Sequence, residues 1–316
     1  MPHGGRGSSG RASVTAAGPG ESGPEGEPSI SVIIPTHSRV AMLGRALNSV
    51  FAQKFPRFEV IVVNDGSSDA TAAHLAQFTD RRLRSIHHPR PLGAAAARNA
   101  GLKLVRAPVV AFLDDDDEQL PGFLAETVRA HGRAPRVDLC WTGVIYRQPD
   151  GSEKTLDWSR WAGSPRFVNR LAGCCGISFR TEWLRAAGGF DTSFRITEDT
   201  DLFMRVVEAK ARWRCINRPL MRVYVHSGSS LSRSGNSELH IEHIRRLFER
   251  HGPLIESDPA IRSQYRGALA NHLYRVGRKS EARREVLRML THRGSRLRGL
   301  ESILRFEIRR GAISGH

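Results

Sequence analysis

Short apolar runs alternate with segments of helical periodicity along the first half of the chain. The apolar runs that predict buried strands lie at residues 30–35, 58–63, 83–87 and 109–113. Apolar side chains at intervals of three and four residues predict helices near residues 40–50, 70–78 and 94–105. This alternation is typical of an α/β fold in which a mainly parallel sheet is sandwiched by helices.

The pattern changes twice in the second half of the chain. The part up to about residue 226 is less regular, with strands predicted at 139–146 and 177–179 and a short helix at 181–187. A further helix is expected to begin at the acidic residues 198–201. After residue 236 the periodicity is wholly helical, with breaks expected at Gly277 and Gly294.

These changes predict three regions. Residues 1–28 are rich in Gly, Ser, Pro and Ala and lack periodicity, so we expect a disordered tail. Residues 29–235 are expected to form the α/β domain, with a mixed, mainly parallel sheet. Residues 236–316 are expected to form a basic helical appendage at the C-terminal end.

Composition indicates a soluble globular protein, with 40% apolar and 25% charged residues. The sequence contains no apolar run of the roughly 18 residues that a membrane-spanning helix needs, and its first residues lack the apolar core of a signal peptide. The four cysteines, at 140, 174, 175 and 215, have no zinc-site spacing and suit a reducing compartment. We therefore expect a cytoplasmic protein.

The formal net charge of +16 is unevenly distributed. Residues 251–316 hold 14 arginines and lysines against 6 acids, which is half of the net charge. Such a basic region favours an anionic partner, and peripheral contact with the inner membrane face is one candidate. The alternative is a solvated helical surface. Nucleic acid is not expected as a partner, because no zinc-finger or RNP-type motif accompanies the charge.

The strongest chemical signal is the run of four aspartates at 114–117, which directly follows a predicted strand. Asp65 follows another predicted strand. The carboxyl ends of parallel strands form the ligand-binding edge of such sheets. Clustered carboxylates repel one another, and a hard divalent cation with phosphate oxygens would relieve that repulsion. A solvated acidic loop is the alternative.

Several nucleotide-binding and hydrolytic classes are disfavoured by missing motifs. The sequence has no Gly-x-x-x-x-Gly-Lys-Ser/Thr loop and no Gly-x-Gly-x-x-Gly after its first strand, which argues against P-loop NTPases and Rossmann dehydrogenases. It also lacks the Gly-x-Ser-x-Gly elbow of acyl hydrolases.

Six motifs occur in an order and spacing that resemble family 2 glycosyltransferases with the GT-A fold. They are Val-Ile-Ile-Pro-Thr at 32–36, Val-Asn-Asp-Gly-Ser-Ser-Asp at 63–69, Ala-Arg-Asn-Ala-Gly at 97–101, Phe-Leu-Asp-Asp-Asp-Asp at 112–117, Gly-Gly-Phe-Asp at 188–191 and Glu-Asp-Thr-Asp-Leu at 198–202. The resemblance covers about residues 30–230. It implies an enzyme that transfers a sugar from a nucleotide donor, by default a UDP-sugar, to an acceptor hydroxyl with inversion, using Mg²⁺ or Mn²⁺.

The resemblance also implies roles on the donor side. Asp114 matches the position that faces the donor ribose and the metal shell, and Asp116 matches the direct metal ligand. Because Asp115 and Asp117 are also aspartates, the register of that ligand stays open. The other matched donor-binding positions are Pro35, Thr36, Arg39, Asp65 and Arg98. Of these, Asp65 matches the residue that accepts a hydrogen bond from the nucleotide base. The alternatives are a turn-forming role for Asp65 and a surface salt bridge for Arg98.

Inverting transfer needs a base for the acceptor proton, and a single carboxylate can supply it. By resemblance Asp199 matches that base, with Glu198 and Asp201 as supporting acids. A helix N-terminus that favours acidic residues is the alternative. His226 matches a segment that closes over the diphosphate or completes the metal shell, although a structural histidine is equally expected. Cys174 and Cys175 are expected to pack near the acceptor side.

Two other functions stay open. A nucleotidyltransferase would also hold metal and phosphates at a sheet edge, but its usual glycine- and arginine-rich loop is missing. A non-catalytic protein that binds nucleotide-sugars or membranes is the second. The acceptor is expected to be a glycan, a lipid-linked sugar or a small molecule, and polysaccharide or glycolipid synthesis the setting.

Overall fold

The computed structural model describes residues 13–15, 26–156, 163–166, 175–226 and 236–290. The chain divides into two compact units. The first unit comprises Met1–Ala162, Cys174–Arg195 and Ala211–Val225. The second comprises Gly163–Gly173, Ile196–Lys210 and His226–His316.

The first unit is built on one mixed sheet, which has ten strands in the described part of the chain. The strands are β1 (Ser13–Thr15), β2 (Ile30–Thr36), β3 (Phe58–Asp65), β4 (Leu83–His88), β5 (Val109–Phe112), β6 (Glu118–Gln119), β7 (Leu139–Arg147), β8 (Glu153–Leu156), β9 (Ile177–Arg180) and β10 (Trp213–Tyr224). Their order is β1-β4-β3-β2-β5-β9-β7-β10-β6, with β8 paired to β7. The strands β4, β3, β2 and β5 run parallel, as do β7 and β10, whereas β9 pairs antiparallel with both β5 and β7.

Five helices of the first unit accompany this sheet. They are α1 (Val40–Phe51), α2 (Thr71–Ala76), α3 (Ala94–Leu104), α4 (Phe123–Gly132) and α5 (Thr181–Ala186). Helix α3 packs on β2 and β3, α4 on β7 and β10, and α5 on β9. The approach of α3 is close, because a Cβ on Gly101 would lie 2.7 Å from Ile33 Cγ2. Glycine is therefore required where this helix meets the sheet.

The second unit contains the helices α6 (Glu198–Glu208), α7 (Ser237–Ser257), α8 (Pro259–Arg275) and α9 (Lys279–Leu290). The last three pack around an apolar cluster that includes Ile241, Leu269 and Leu273. Helix α7 is kinked at His251, two residues before Pro253, which cannot donate a backbone hydrogen bond. The side chain of Asp258 caps α8 by accepting from Ala260 N at 2.7 Å.

The main α/β elements confirm the predictions from periodicity. All four strands predicted in the first half are present, and the break at Gly277 separates α8 from α9. The break expected at Gly294 lies outside the described residues. The α/β class with a mixed sheet and C-terminal helices is as expected.

Several elements were missed. The strand β10 contains Arg214, Arg218, Arg222 and a proline, so it has no clean period of two, and its pairing with β7 is irregular between Ile216 and Met221. The strands β6 and β8 and the helix α4 were also not predicted. In the tail expected to be disordered, Ser13–Thr15 pair antiparallel with β4 and so differ from that expectation. The domain boundary at residue 235 stays a prediction, and Ile196–Lys210 group with the C-terminal helices.

Candidate active site

The predicted donor-side residues of the first unit meet at one edge of the sheet. The strand β2 ends at Thr36, after the half-buried Pro35, and β3 ends at Asp65. The strand β5 ends at Phe112, two residues before the aspartates at 114–117. Because β2 pairs in parallel with both β3 and β5, these carboxyl ends lie side by side. The sequence-based inference that strand order would unite them is confirmed.

Two donor-side residues hold the second aspartate of the run. Thr36 Oγ1 donates to Asp115 Oδ2 at 2.7 Å, and Arg39 Nη1 donates to Asp115 Oδ1 at 3.1 Å. The same Arg39 nitrogen lies 3.1 Å from Asp116 Oδ2. Arg45 Nη2 donates to the Asp116 carbonyl at 2.8 Å, so the turn is fixed through its backbone as well. Asp116, the predicted metal ligand, is therefore paired with a guanidinium in this structure.

Burial perturbs the acidity of two carboxyls in the run. It raises the pKa of Asp115 to about 6, against the opposing effects of the Thr36 hydrogen bond and the Arg39 charge. Burial, together with the charges of Asp114 and Asp116, raises the pKa of Asp117 well above its usual range. The protein alone therefore compensates this cluster of negative charge only in part.

Asp117 is the least compensated carboxylate of the run. It is 3% exposed, and its oxygens accept from Cys175 Sγ at 2.8 Å and from Tyr224 N at 3.1 Å. Within the described residues no cationic side chain pairs with it. Cys175 Sγ also lies 3.8 Å from Asp114 Oδ2, and ligand atoms of these three residues all lie within 4.8 Å of one another. Asp114 and Asp117 supply carboxylate oxygens, which suit a divalent cation such as Mg²⁺ or Mn²⁺, so these two residues fit the cofactor that the sequence predicts, whereas the Cys175 thiol does not suit Mg²⁺.

Cys175 is a site residue that sequence reasoning missed. Its neighbour Cys174 lies outside the described residues, and the pair was expected near the acceptor side. In the structure Cys175 is 6% exposed and directly contacts the acidic run. The two positions are 58 residues apart, and no motif links them.

Arg98 connects α3 to the first aspartate of the run. Its Nη2 donates to Asp114 Oδ1 at 2.8 Å, and its side chain is only 6% exposed, so a surface salt bridge does not describe it. The next residue, Asn99, exchanges two hydrogen bonds with the backbone of Phe190, at 2.7 and 2.9 Å. A Cβ on Gly189 would lie 2.4 Å from Asn99 Oδ1. The motif at 97–101 is thus coupled to the motif at 188–191, which explains the glycine there.

Asp65 organises the loop that follows β4. Its Oδ1 accepts from His88 Nδ1 at 2.7 Å and from Leu92 N at 2.9 Å, and its Oδ2 accepts from Gly93 N at 2.8 Å. Its backbone carbonyl lies 2.8 Å from His37 Nδ1. The side chain therefore shapes the N-terminal end of α3, and its contact with a nucleotide base stays a prediction. His88 gave no sequence signal as a partner.

The predicted acid–base residues belong to the second unit. Glu198, Asp199 and Asp201 all lie in the first turn of α6. Asp199 Oδ1 accepts from Thr200 N at 2.7 Å. The residue before the helix, Thr197, has a φ of +64°, which is uncommon for a β-branched residue. Backbone strain of this kind concentrates at functional sites.

Asp201 is fully buried in a cluster of ion pairs. Its carboxylate accepts from Arg205 Nε at 2.8 Å, Arg250 Nη1 at 2.7 Å and His251 Nε2 at 3.1 Å. Burial acts to raise the pKa of Asp201, but the hydrogen bonds from His251 and Arg250 and the arginine charges hold it below its usual range. Asp201 is therefore an anchor of α6, and its supporting role in the reaction stays a prediction. His226 is half-buried in the second unit, and its role stays a prediction.

Comparison with known proteins agrees with this arrangement. Residues 31–187 match the sequence model of glycosyl transferase family 2. The chain is 29% identical over 196 residues to the putative colanic acid biosynthesis glycosyl transferase WcaA of Escherichia coli, covering 59% of this chain and 69% of that protein. It is 31% identical over 201 residues to the pre-mycofactocin glycosyltransferase of Mycobacterium tuberculosis, covering 58% of this chain but only 40% of that relative.

Solved structures give the same fold at lower identity. The S. aureus TarS fragment 1–349 in complex with UDP-GlcNAc has a TM-score of 0.57 at 19% identity, covering 78% of this chain and 80% of that one. The mannosyltransferase PcManGT of Pyrobaculum calidifontis, in complex with GDP-Man and Mn²⁺, has a TM-score of 0.53 at 19% identity, covering 89% and 81%. The fold is therefore that of GT-A glycosyltransferases.

None of the helices in the described part of the chain is both long enough and apolar enough to cross a bilayer.

Proposed function

The chain belongs to glycosyl transferase family 2, and on that premise we propose that it transfers a sugar from a UDP-sugar to an acceptor hydroxyl with inversion at the anomeric carbon. The observation that supports this most is the convergence of Thr36, Arg39 and Arg98 on the aspartates at 114–117. TarS binds UDP-GlcNAc and PcManGT binds GDP-Man in their solved structures. A nucleotide-sugar is therefore the donor class proposed here, and UDP the proposed nucleotide.

We propose Mg²⁺ or Mn²⁺ as the cofactor, held by Asp114, Asp116 and Asp117 at this edge. Support comes from Asp117, a buried carboxylate paired only with a thiol and a backbone amide among the described residues. A divalent cation held there would neutralise the negative charge that develops on the leaving diphosphate. His226 is proposed as a further ligand or as part of a segment over the diphosphate.

The side chains around the run have proposed roles of their own. Arg39, whose side chain is 40% exposed, would pair with the donor phosphates, and Arg98 would keep Asp114 oriented toward the ribose. Asp65 would accept a hydrogen bond from the base, with Pro35 and Thr36 beside it. In the second unit Asp199 would take the proton of the acceptor hydroxyl as that oxygen attacks, with Glu198 and Asp201 in support.

The acceptor is proposed to be a glycan or a lipid-linked sugar, as in polysaccharide or glycolipid synthesis. The WcaA relative is named for a biosynthetic role, in the making of colanic acid. Contact with the anionic inner face of the membrane is proposed through α9. Arg283, Arg284 and Arg288 are exposed there beside Leu287, which is 59% exposed. Such contact would bring the enzyme to a lipid-linked acceptor at the cytoplasmic surface.

A panel of nucleotide-sugars tests the reaction class. With Mn²⁺ present, we expect one UDP-sugar to release UDP, and EDTA to abolish that release. Release of pyrophosphate would instead indicate a nucleotidyltransferase. Binding without any release, for every sugar and in the presence of candidate acceptors, would indicate a non-catalytic protein. Asp150→Ala, an exposed acidic position outside the run, is the matched control for the carboxylate variants.

A further inference from the structure

The segment that carries Asp199 is held from three directions by the C-terminal helices. The contacted residues are Ile196, which precedes Asp199, and Thr200 and Asp201, which follow it. All of these contacts lie within the second unit. The segment comprises residues 196–201, which are the two residues before α6 and the first four residues of that helix.

The first contact comes from His243 on α7. Its Nδ1 lies 2.8 Å from the carbonyl oxygen of Ile196, and because a carbonyl only accepts, the imidazole must donate. His243 is 1% exposed. The bond fixes the backbone just before Thr197, where φ is positive and the chain turns into α6.

The second contact comes from the kink in α7. Arg250 Nη1 and His251 Nε2 both reach Asp201 Oδ1, at 2.7 and 3.1 Å. Neighbouring residues of a regular helix point about 100° apart, so the non-helical backbone at His251 lets both side chains reach one oxygen. His251 Nδ1 lies 2.9 Å from Glu208 Oε2, so its ring bridges two carboxylates of α6.

The third contact comes from Tyr265 on α8. Its side chain is buried and hydrogen-bonds the side chain of Thr200. Burial, and after it the charge of Asp199, raises the pKa of the Tyr265 hydroxyl. Tyr265 is therefore a buried group that contacts Thr200, the residue that follows Asp199.

We infer that His243, Arg250, His251 and Tyr265 are positioning residues that set the placement of the Asp199 carboxylate, so that the C-terminal helices are part of the catalytic apparatus. This inference rests on the proposed role of Asp199 as the general base. A base acts only within hydrogen-bonding reach of its proton, and a displacement of about 1 Å can cost about 100-fold in rate. Donor binding, by contrast, is proposed for residues of the first unit together with His226, none of which makes these contacts, and it should not depend on them.

Substitutions with matched rescues test the inference. Tyr265→Phe removes one hydroxyl from a packed ring, and we expect kcat for UDP release from the preferred UDP-sugar, with water as acceptor, to fall about tenfold. His243→Leu and Arg250→Met should lower kcat by about 10- to 100-fold. His243→Asn, which keeps a donor near Nδ1, and Arg250→Lys, which keeps the charge, should recover part of that loss. The Kd for UDP with Mn²⁺ should stay within twofold throughout.

Two further measurements separate positioning from simple stability. Tyr274→Phe, on the same helix but packed against the apolar cluster, should leave kcat unchanged. In the Asp199→Asn background, Tyr265→Phe should add less than a twofold loss, because the group that it positions has already been disabled. Full additivity of the two losses would overturn the inference.

The possible failures are distinguishable. If Asp199→Asn is severely impaired while Tyr265→Phe, His243→Leu and Arg250→Met keep kcat within twofold of wild type, the contacts are only scaffold and the inference is wrong. If Asp199→Asn itself retains wild-type turnover, the proposed base is wrong and the inference falls with it. In either case the proposed reaction class, which is tested separately by UDP release from the panel of nucleotide-sugars, would be unaffected.

Discussion

The thiol of Cys175 lies 2.8 Å from Oδ2 of Asp117, the last aspartate of the acidic run. Both side chains are almost fully buried, and the cysteine precedes a tight turn at Gly176. The contact ties the loop before β9 to the turn after β5. A carboxylate that would otherwise lie buried between other carboxylates and apolar residues thereby gains a hydrogen-bond donor.

Removing that donor should destabilise the protein. Cys175→Ala leaves Asp117 with one hydrogen bond fewer, and we expect the free energy of unfolding to fall by about 1–3 kcal/mol. Cys175→Ser keeps a donor and should lose less. The measurement is urea denaturation without metal. Cys215→Ala, at a half-buried cysteine of β10, is the control. Equal losses for Cys175→Ala and Cys175→Ser would show that packing, rather than the hydrogen bond, is responsible.

The register of the metal ligand is decided by paired substitutions. We expect Asp116→Ala to abolish Mn²⁺-stimulated transfer and Mn²⁺-dependent UDP binding while the chain stays folded, because the Asp116 side chain is only partly buried, at 21% exposed, and its loss relieves repulsion among the aspartates. Calorimetric titration of UDP with and without Mn²⁺ measures this. If Asp116→Ala keeps the stimulation and Asp117→Ala loses it, the ligand register is shifted by one residue.

The pKa of Asp115 gives a pH dependence of definite sign. Because burial raises it from 3.8 to about 6, the folded metal-free protein binds more protons than the unfolded chain between these values. Asp115 therefore contributes stability below about pH 4, and this contribution is lost as the pH rises to about 6. The difference is about 3 kcal/mol for a shift of this size.

Comparison with Asp115→Asn isolates that contribution from the other acids. Between pH 4 and pH 7 the wild type should lose about 2 kcal/mol of unfolding free energy relative to Asp115→Asn. Chemical denaturation at each pH, with EDTA present, is the measurement. Parallel pH profiles for the two proteins would contradict the raised pKa. Glu27→Gln, at an exposed position, should follow the wild type throughout.

Much of this site was predictable because the apolar runs locate the strands, and the carboxyl ends of parallel strands lie at one edge of the sheet. Continuous apolar runs placed β2, β3 and β5, and parallel pairing then brought Thr36 and the aspartates together. The contacts between Asp117 and Cys175 and between Asp65 and His88 were not predictable. They join positions far apart in sequence through single side chains, which leave no periodic signal.

The second unit shows the same limit. The acidic start of α6 was predicted, but the partners of Asp201 lie about 50 residues away on α7. Their convergence depends on the kink at His251, and the spacing of apolar residues along α7 does not indicate which side chains that kink brings together. Sequence alone therefore presents the C-terminal helices as an appendage, whereas their contacts connect them to the proposed base.

Substitution of the proposed base should separate binding from turnover. Asparagine in Asp199→Asn keeps the shape of the side chain but cannot take the acceptor proton, so we expect kcat to fall about 10²–10⁴-fold. The Kd for UDP with Mn²⁺ should not change. If Glu198→Gln gives the severe loss instead, the base has been misassigned. Asp201→Asn should impair both stability and turnover, because it removes the buried negative charge that Arg250 and His251 contact.

The basic C-terminal surface predicts salt-sensitive contact with anionic membranes. Each arginine near a negatively charged leaflet contributes about 1 kcal/mol, and the attraction is screened within about 10 Å at 0.1 M salt. We expect the full chain to float with vesicles rich in phosphatidylserine at low salt and to be released as salt rises.

Truncation near residue 236 is unsuitable as a test, since it would also remove the contacts to α6. Arg283→Gln with Arg284→Gln on α9 should weaken flotation, whereas Arg57→Gln with Arg81→Gln, at exposed positions of the first unit, should not. If both pairs float equally well, or neither the wild type nor the variants float at all, the charge on α9 is a solvated surface and a soluble acceptor becomes the better hypothesis.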